Sequence, residues 1–142
     1  MECSFVPKIM LYKINNIEDA LQSIKNAGNA TIIFGIFLLI STLIFYFSSN
    51  EGGFLSFLGP DVIYSIILIF TINWLFIIIL SLLFKRNKSK IYSIVIALYF
   101  LNLLIMSSFK SGWFDFVLLI FFIYAIQGVK GAFALKKFQS NP

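Results

Sequence analysis

Residues 61–108 read DVIYSIILIFTINWLFIIILSLLFKRNKSKIYSIVIALYFLNLLIMSS, and this hairpin decides the fold. Its two apolar runs, residues 61–84 and 91–108, contain no charge after Asp61. A helix rises about 1.5 Å per residue, so the first run crosses a hydrocarbon layer of about 30 Å with some tilt, and the second just spans it. The turn between the runs carries four basic residues, Lys85, Arg86, Lys88 and Lys90. Because basic residues collect in cytoplasmic loops, we predict that this turn is cytoplasmic.

The composition of the whole chain indicates that the bilayer is its solvent. Apolar residues make up 60% of the 142 residues and charged residues 12%, against about 45–50% and about 25% in soluble domains. A soluble domain of this length could not bury so much apolar surface. Two further uncharged runs, near residues 30–47 and 113–132, complete a predicted all-α membrane protein of four transmembrane helices in an antiparallel bundle. The last helix continues to about residue 138, so the transmembrane domain covers residues 30–138 and is followed by a tail over 139–142.

A polar, amphipathic segment precedes the first span. Residues 1–29 form the predicted cytoplasmic N-terminal segment, with a short helix over 16–28. Asn15 or Asn16 caps this helix. Its apolar face recurs at helical spacing and consists of Ile17, Ala20, Leu21 and Ile24. Because the opposite face is too polar to span, we expect this helix at the cytoplasmic interface, either among the headgroups or folded onto the protein's own surface.

The distribution of basic residues predicts the topology and the localisation. Ten basic residues fall on one side of a four-span chain, and Lys110 alone falls on the other. The ten are Lys8, Lys13, Lys25, Lys85, Arg86, Lys88, Lys90, Lys130, Lys136 and Lys137. Since positive residues stay inside, we predict that both termini are cytoplasmic. The abundance of Lys, Ile, Phe and Asn is typical of AT-rich coding, and we predict a multi-pass protein of the bacterial inner membrane.

The chain lacks the residues that most catalytic and metal sites need. It has no histidine, and Cys3 is its single cysteine. No Asp, Glu, Lys or Arg lies within residues 30–47, 62–84, 91–108 or 116–129. An intramembrane ionisable residue is the usual sign of transport or proton relay. We therefore predict no catalytic residue, no metal and no cofactor, and a protein that is not an enzyme.

Two stripes of small residues predict where helices pack. The first span carries Ala27, Thr31 and Gly35, and the fourth carries Ala125, Gly128 and Ala132. Small residues let two backbones approach closely in a bilayer, where there is no hydrophobic drive between helices. Both stripes lie in the cytoplasmic halves of their spans, so we predict that the first and fourth spans touch there.

Asn73 and Asn102 are the polar residues deepest in the spans. They lie equally far from the centre of the basic turn, each about 16 Å inside its own span. A lone carboxamide in an apolar medium costs several kcal/mol, so we predict that the two side chains meet and hydrogen-bond each other. The alternative is that they line a path for a ligand or an ion.

The closing segment resembles a family signature. Residues 127–138 read QGVKGAFALKKF, which is similar to the C-terminal signature of a family of small four-helix bacterial membrane proteins with no assigned function. The basic turn around Lys88 and the amphipathic entry over 17–27 also resemble that family. Lys130 stands where the family usually has arginine, and Ala132 replaces a small hydroxyl residue. The resemblance implies the four-helix membrane fold and no activity.

We predict a non-enzymatic protein that acts through helix–helix or partner interaction. The partner is a second copy or another membrane protein, and the net charge of +5 favours anionic lipid headgroups over nucleic acid because the basic residues flank the spans. The alternative is a small oligomeric channel, a holin-like pore or a transporter. A pore is typically lined by a polar stripe, although apolar constrictions also gate pores by dewetting.

Overall fold

The chain is helical throughout the part that its computed structural model describes, residues 14–50, 59–107 and 112–140. These ranges form α1 (Ile17–Asn50), α2 (Pro60–Asn87), α3 (Lys90–Ser107) and α4 (Trp113–Ser140). All four helices are long and apolar enough to cross a membrane. The prediction of an all-α protein with four helices long and apolar enough to cross a membrane is confirmed for the described residues. Cys3, Lys8, Lys13 and Lys110 lie outside the described residues.

The basic turn is a two-residue connection between α2 and α3. Pro60 and Asp61 open α2, where a proline needs no hydrogen-bonded N–H and a carboxylate favours the helix dipole. The helix ends when Lys88 adopts a left-handed conformation (φ 50°) and its N–H bonds the carbonyl of Phe84 at 2.8 Å. α3 follows directly at Lys90. Lys88 and Ser89 are therefore the whole connection between the two helices.

The predicted separate helix over 16–28 is instead the beginning of α1. Asn16 caps α1 by accepting the N–H of Asp19 at 2.7 Å, while the Asp19 carboxylate accepts the N–H of Asn15 at 3.1 Å. α1 then continues past Gly28 without a break. A helical glycine costs only about 1 kcal/mol, and Ala20, Ile24 and Ala27 of this first part of the helix are buried in the core. The tail prediction is also too long, since α4 includes residues 139 and 140.

The core forms where three helices bring phenylalanine rings together. Phe34 of α1 is fully buried, and its ring centre lies 5.0 Å from that of Phe100 on α3 and 5.1 Å from that of Phe121 on α4. α1 packs against both α2 and α4, and α4 also packs against α3. α2 and α3 make the least contact of these neighbours, although the short turn joins them. The two helices of the central hairpin therefore pack less closely than α1 with α2, α1 with α4, or α3 with α4.

Candidate interaction sites

The small residues lie at the closest helix contacts. All six predicted packing residues are buried. A Cβ atom on Gly128 would lie 2.5 Å from the Cβ of Ala27, so α1 and α4 touch at this level. One turn further, a Cβ on Gly131 would lie 2.8 Å from the Ala20 carbonyl oxygen. Residue numbers rise along α1 as they fall along α4 in these contacts.

The stripe on α1 is shared between two partners. Gly35 faces α2, where a Cβ atom would lie 2.5 Å from Cγ1 of Ile78. The sequence analysis predicted that the whole stripe packs against the fourth span. A spacing of four between small residues also fits a helix that has neighbours on two sides. The Thr31 hydroxyl donates a hydrogen bond within α1, to the Ala27 carbonyl oxygen at 2.8 Å.

Two polar contacts that the sequence analysis missed join α1 to α2. The buried Ser81 hydroxyl donates to the Gly28 carbonyl at 2.7 Å, and the Lys85 ammonium donates to Oδ1 of Asn29 at 2.8 Å. The aliphatic part of Lys85 lies against Gly28, where no side chain intervenes. No sequence signal marks Ser81, because serine within an apolar span ordinarily bonds its own preceding turn.

The predicted hydrogen bond between Asn73 and Asn102 is not present. Asn73 is half-buried and donates to the Ile69 carbonyl of its own helix at 2.8 Å. Asn102 is exposed on the surface of α3. Equal depth alone did not make these residues meet, because the rotation of each helix about its axis directs the two side chains to different surroundings.

The outer face of α3 carries a regular apolar stripe. Its members recur at alternating spacings of three and four residues, and all are exposed: Ile91, Ile94, Leu98, Leu101 and Ile105. We call this set the α3 stripe. Asn102 lies beside it, adjacent to Leu101 and one turn from Leu98 and Ile105. Between the stripe and α4 runs a shallow apolar cavity of about 400 Å³ that reaches Phe122 and ends at Lys130.

Basic residues of all four helices gather at one end of the bundle. The Lys85 ammonium reaches α1 at Asn29, and that of Lys90 lies 4.1 Å from the ring centre of Phe133 on α4. We call this the basic end, and its described cations are Lys25, Lys85, Arg86, Lys88, Lys90, Lys130, Lys136 and Lys137. The start of α1 and the end of α4 both lie here, since Ala20 contacts Gly131.

A cavity of about 480 Å³ opens at the basic end, between the α2–α3 turn and the last turns of α4. We call it the basic cavity. Its cations are Lys88, Lys90 and Lys136, and amide or hydroxyl groups come from Asn87, Ser89 and Gln139. The remaining wall is apolar and consists of Ile91, Ala132 and Leu135. The lining of the cavity therefore combines basic, polar and aliphatic residues.

Comparison with known proteins adds no relative. No family model, no curated protein and no solved structure matches the chain. Within the described ranges, no group of three or more His, Cys, Asp or Glu side chains is placed to hold a metal ion. The two candidate interaction surfaces are the α3 stripe with Asn102 and the basic cavity.

Proposed function

We propose that this protein is a non-enzymatic, multi-pass membrane protein that acts by associating with a second copy of itself through α3. In this proposal the four helices form an antiparallel bundle in a bacterial inner membrane, with both termini cytoplasmic. Four helices able to cross a bilayer support the multi-pass placement. The gathering of basic residues at the end where α1 begins and α4 finishes supports the orientation.

The exposed carboxamide of Asn102 carries the proposal. It lies within the third span, five residues before the described end of α3, on an exposed surface that faces lipid in the monomer. Leaving such a group without a partner in hydrocarbon costs several kcal/mol, so a polar contact from outside the monomer stabilises it. A carboxamide has both donors and an acceptor, so a second carboxamide is a complete partner for it.

Membrane symmetry places that second carboxamide at the right depth. Copies inserted with the same topology are related by an axis along the membrane normal, so any residue lies at the same depth as its counterpart. A two-fold axis beside α3 would therefore bring Asn102 against Asn102 of the second copy, with the α3 stripe on both helices packing around it. A single Asn in an apolar helix contact is a known means of setting register.

Asn102→Leu is expected to weaken the dimer. Interhelical hydrogen bonds in bilayers contribute about 0.6–2 kcal/mol, so the dissociation constant should rise by about 3- to 30-fold. The measurement is energy transfer between labelled copies as protein is diluted into lipid vesicles. Asn73→Leu is the matched control, because Asn73 bonds its own helix and should leave association unchanged. Equal association of the wild type and the Asn102→Leu variant would contradict the proposal.

Disulfide cross-linking tests which face forms the contact. In a Cys3→Ser background, a cysteine at Ile105 on the α3 stripe should cross-link two copies in native membranes. A cysteine at Leu68, which is similarly exposed on α2, should stay monomeric. Cross-linking at 68 and not at 105 would assign the contact to α2 instead.

The topology has its own test. Cysteines introduced at Ser49 and Ser89 in the Cys3→Ser background report the two sides of the membrane to an impermeant thiol reagent. We expect labelling of residue 49 from outside intact cells, and labelling of residue 89 only after the cells are opened, because the turn holds four of the basic residues. Labelling of residue 89 in intact cells would reverse the orientation.

A small oligomeric pore is the second candidate, and Asn102 again favours it. If more than two copies surrounded an axis beside α3, the same carboxamides would form a ring in an otherwise apolar channel, which is a lining that pores use. Ion flux from liposomes separates the candidates. A dimer without flux supports association alone, whereas a larger oligomer with flux that Asn102→Leu abolishes supports the pore.

A further inference from the structure

We propose that the basic cavity binds the phosphate group of an anionic phospholipid, with an acyl chain of the same lipid against its apolar wall. This site lies at the basic end and is separate from the α3 contact proposed above. It requires only that the protein lies in a membrane.

The charge in the cavity selects an anion. Three lysines line it, Lys88, Lys90 and Lys136, and none of the described residues that line it is acidic. Asn87, Ser89 and Gln139 add side chains with hydrogen-bond donors to the same lining. Phosphate oxygens accept several such bonds at once, and lysine is a common point-charge partner for phosphate.

One of the three lysines is held in place. The Lys90 ammonium lies 4.1 Å from the centre of the Phe133 ring, a distance at which a cation is attracted to an aromatic face. Lys90 and Lys136 also line a second cavity of about 510 Å³ on the far side, together with Phe133 and Lys137. Lys90 and Lys136 therefore line both cavities, and the Lys90 ammonium contacts the Phe133 ring.

The apolar wall distinguishes a lipid from a free anion. Ile91, Ala132 and Leu135 line the same cavity as the lysines. Ile91 begins the α3 stripe and is 71% exposed, so the apolar wall continues directly onto the lipid-facing surface of the bundle. A free phosphate would use only the cations, whereas a phospholipid uses both walls at the depth where headgroup and acyl chain join.

The site also lies at the correct level for a headgroup. α2 and α3 carry no charged residue between the turn and Asp61 or the described end of α3, so the turn marks the first polar layer beyond the hydrocarbon. Clusters of basic residues at this position attract anionic lipid, and basic pockets between spanning helices bind anionic headgroups.

Native mass spectrometry of the full chain, released from mild detergent, tests the site. The probes are phosphatidylglycerol, which is anionic, and phosphatidylcholine, which has no net charge, each titrated at the same acyl composition. We expect one phosphatidylglycerol to be retained per chain, with at least about tenfold weaker retention of phosphatidylcholine.

A charge-matched pair of triple variants separates a built site from general attraction. The test variant combines Lys88→Gln, Lys90→Gln and Lys136→Gln, and should lose about tenfold or more in phosphatidylglycerol retention. The control combines Lys25→Gln, Arg86→Gln and Lys130→Gln, which removes the same charge from the same end outside the cavity. It should change retention by less than about threefold, because screened charges outside the cavity act weakly. Equal losses in both triples would overturn the proposal.

Two further measurements keep the test decisive. Phe133→Leu keeps every cation but removes the ring under Lys90, and a partial loss of retention is expected, with no change in thermal midpoint. Millimolar inorganic phosphate should fail to displace the lipid, since it cannot use the apolar wall. Full displacement by phosphate would replace the lipid with a free anion as the ligand and overturn the assignment.

Discussion

Gly128→Leu is expected to separate α1 from α4 and to lower the free energy of unfolding by about 3 kcal/mol, the upper range for an overpacked contact. A Cβ atom at position 128 would already lie 2.5 Å from the Cβ of Ala27, and Phe84 closes the space on the α2 side at 3.3 Å. The Leu side chain then has nowhere to go unless the helices move apart. The measurement is the thermal midpoint in mild detergent, which should fall by roughly 10 °C.

A size swap provides the matched control for Gly128. Gly128→Ala alone should destabilise by a smaller amount, because it introduces only the colliding Cβ atom. Combining it with Ala27→Gly moves that methyl group to the other helix and should restore most of the loss, with helix propensity unchanged in sum. Gly59→Leu, at a position with nothing within 4 Å, should leave the midpoint near that of the wild type. A wild-type midpoint for Gly128→Leu would mean that α1 and α4 do not touch there.

Phe34→Ala is expected to cost about 2–3 kcal/mol of folding free energy. Phe34 is fully buried, and its ring joins α1 to rings on both α3 and α4. In water such a truncation costs about 3–5 kcal/mol. The loss should be smaller here, because a phenyl ring released from the core stays in an apolar medium and only the packing contacts are lost. Chemical unfolding in mixed detergent micelles measures this change.

Phe47→Ala is the control for Phe34→Ala. Phe47 lies on the same helix with 59% of its surface exposed, so its truncation leaves no cavity. A difference of less than about 0.5 kcal/mol from the wild type is expected, as for most surface positions. Equal losses for the two variants would mean that the three-ring cluster does not hold the bundle together.

The predicted spans correspond to real helices because their signal is long and uninterrupted. The run over 61–84 became α2 with only a few residues added at each end, and the basic turn ends that helix at Asn87. The buried small residues were also found from spacing alone, since glycine and alanine at intervals of three or four leave room for another backbone. In both cases the deciding property is local in the chain.

The start of α1 and the pair Asn73 and Asn102 show what the local sequence pattern could not predict. The polar first turns of α1 were predicted as a separate helix because they are too hydrophilic to span. They continue into the span because the last turns of α4 cover their apolar face. The contact of Gly131 with Ala20 is evidence of this cover. Asn73 and Asn102 share a depth, yet α2 and α3 are the least closely packed neighbours.

The sequence by itself determined that this chain has four helices long and apolar enough to cross a bilayer, and that its cations collect between and after particular apolar runs. Apolar length and charge position follow from the chain alone. Only the tertiary structure decided which helices are neighbours, that Gly35 faces α2 while Gly128 faces α1, and that Lys88, Lys90 and Lys136 line one cavity. The physical reason is that a helix apolar on all sides carries no stripe to set its rotation, so the fit of side chains between helices sets it instead.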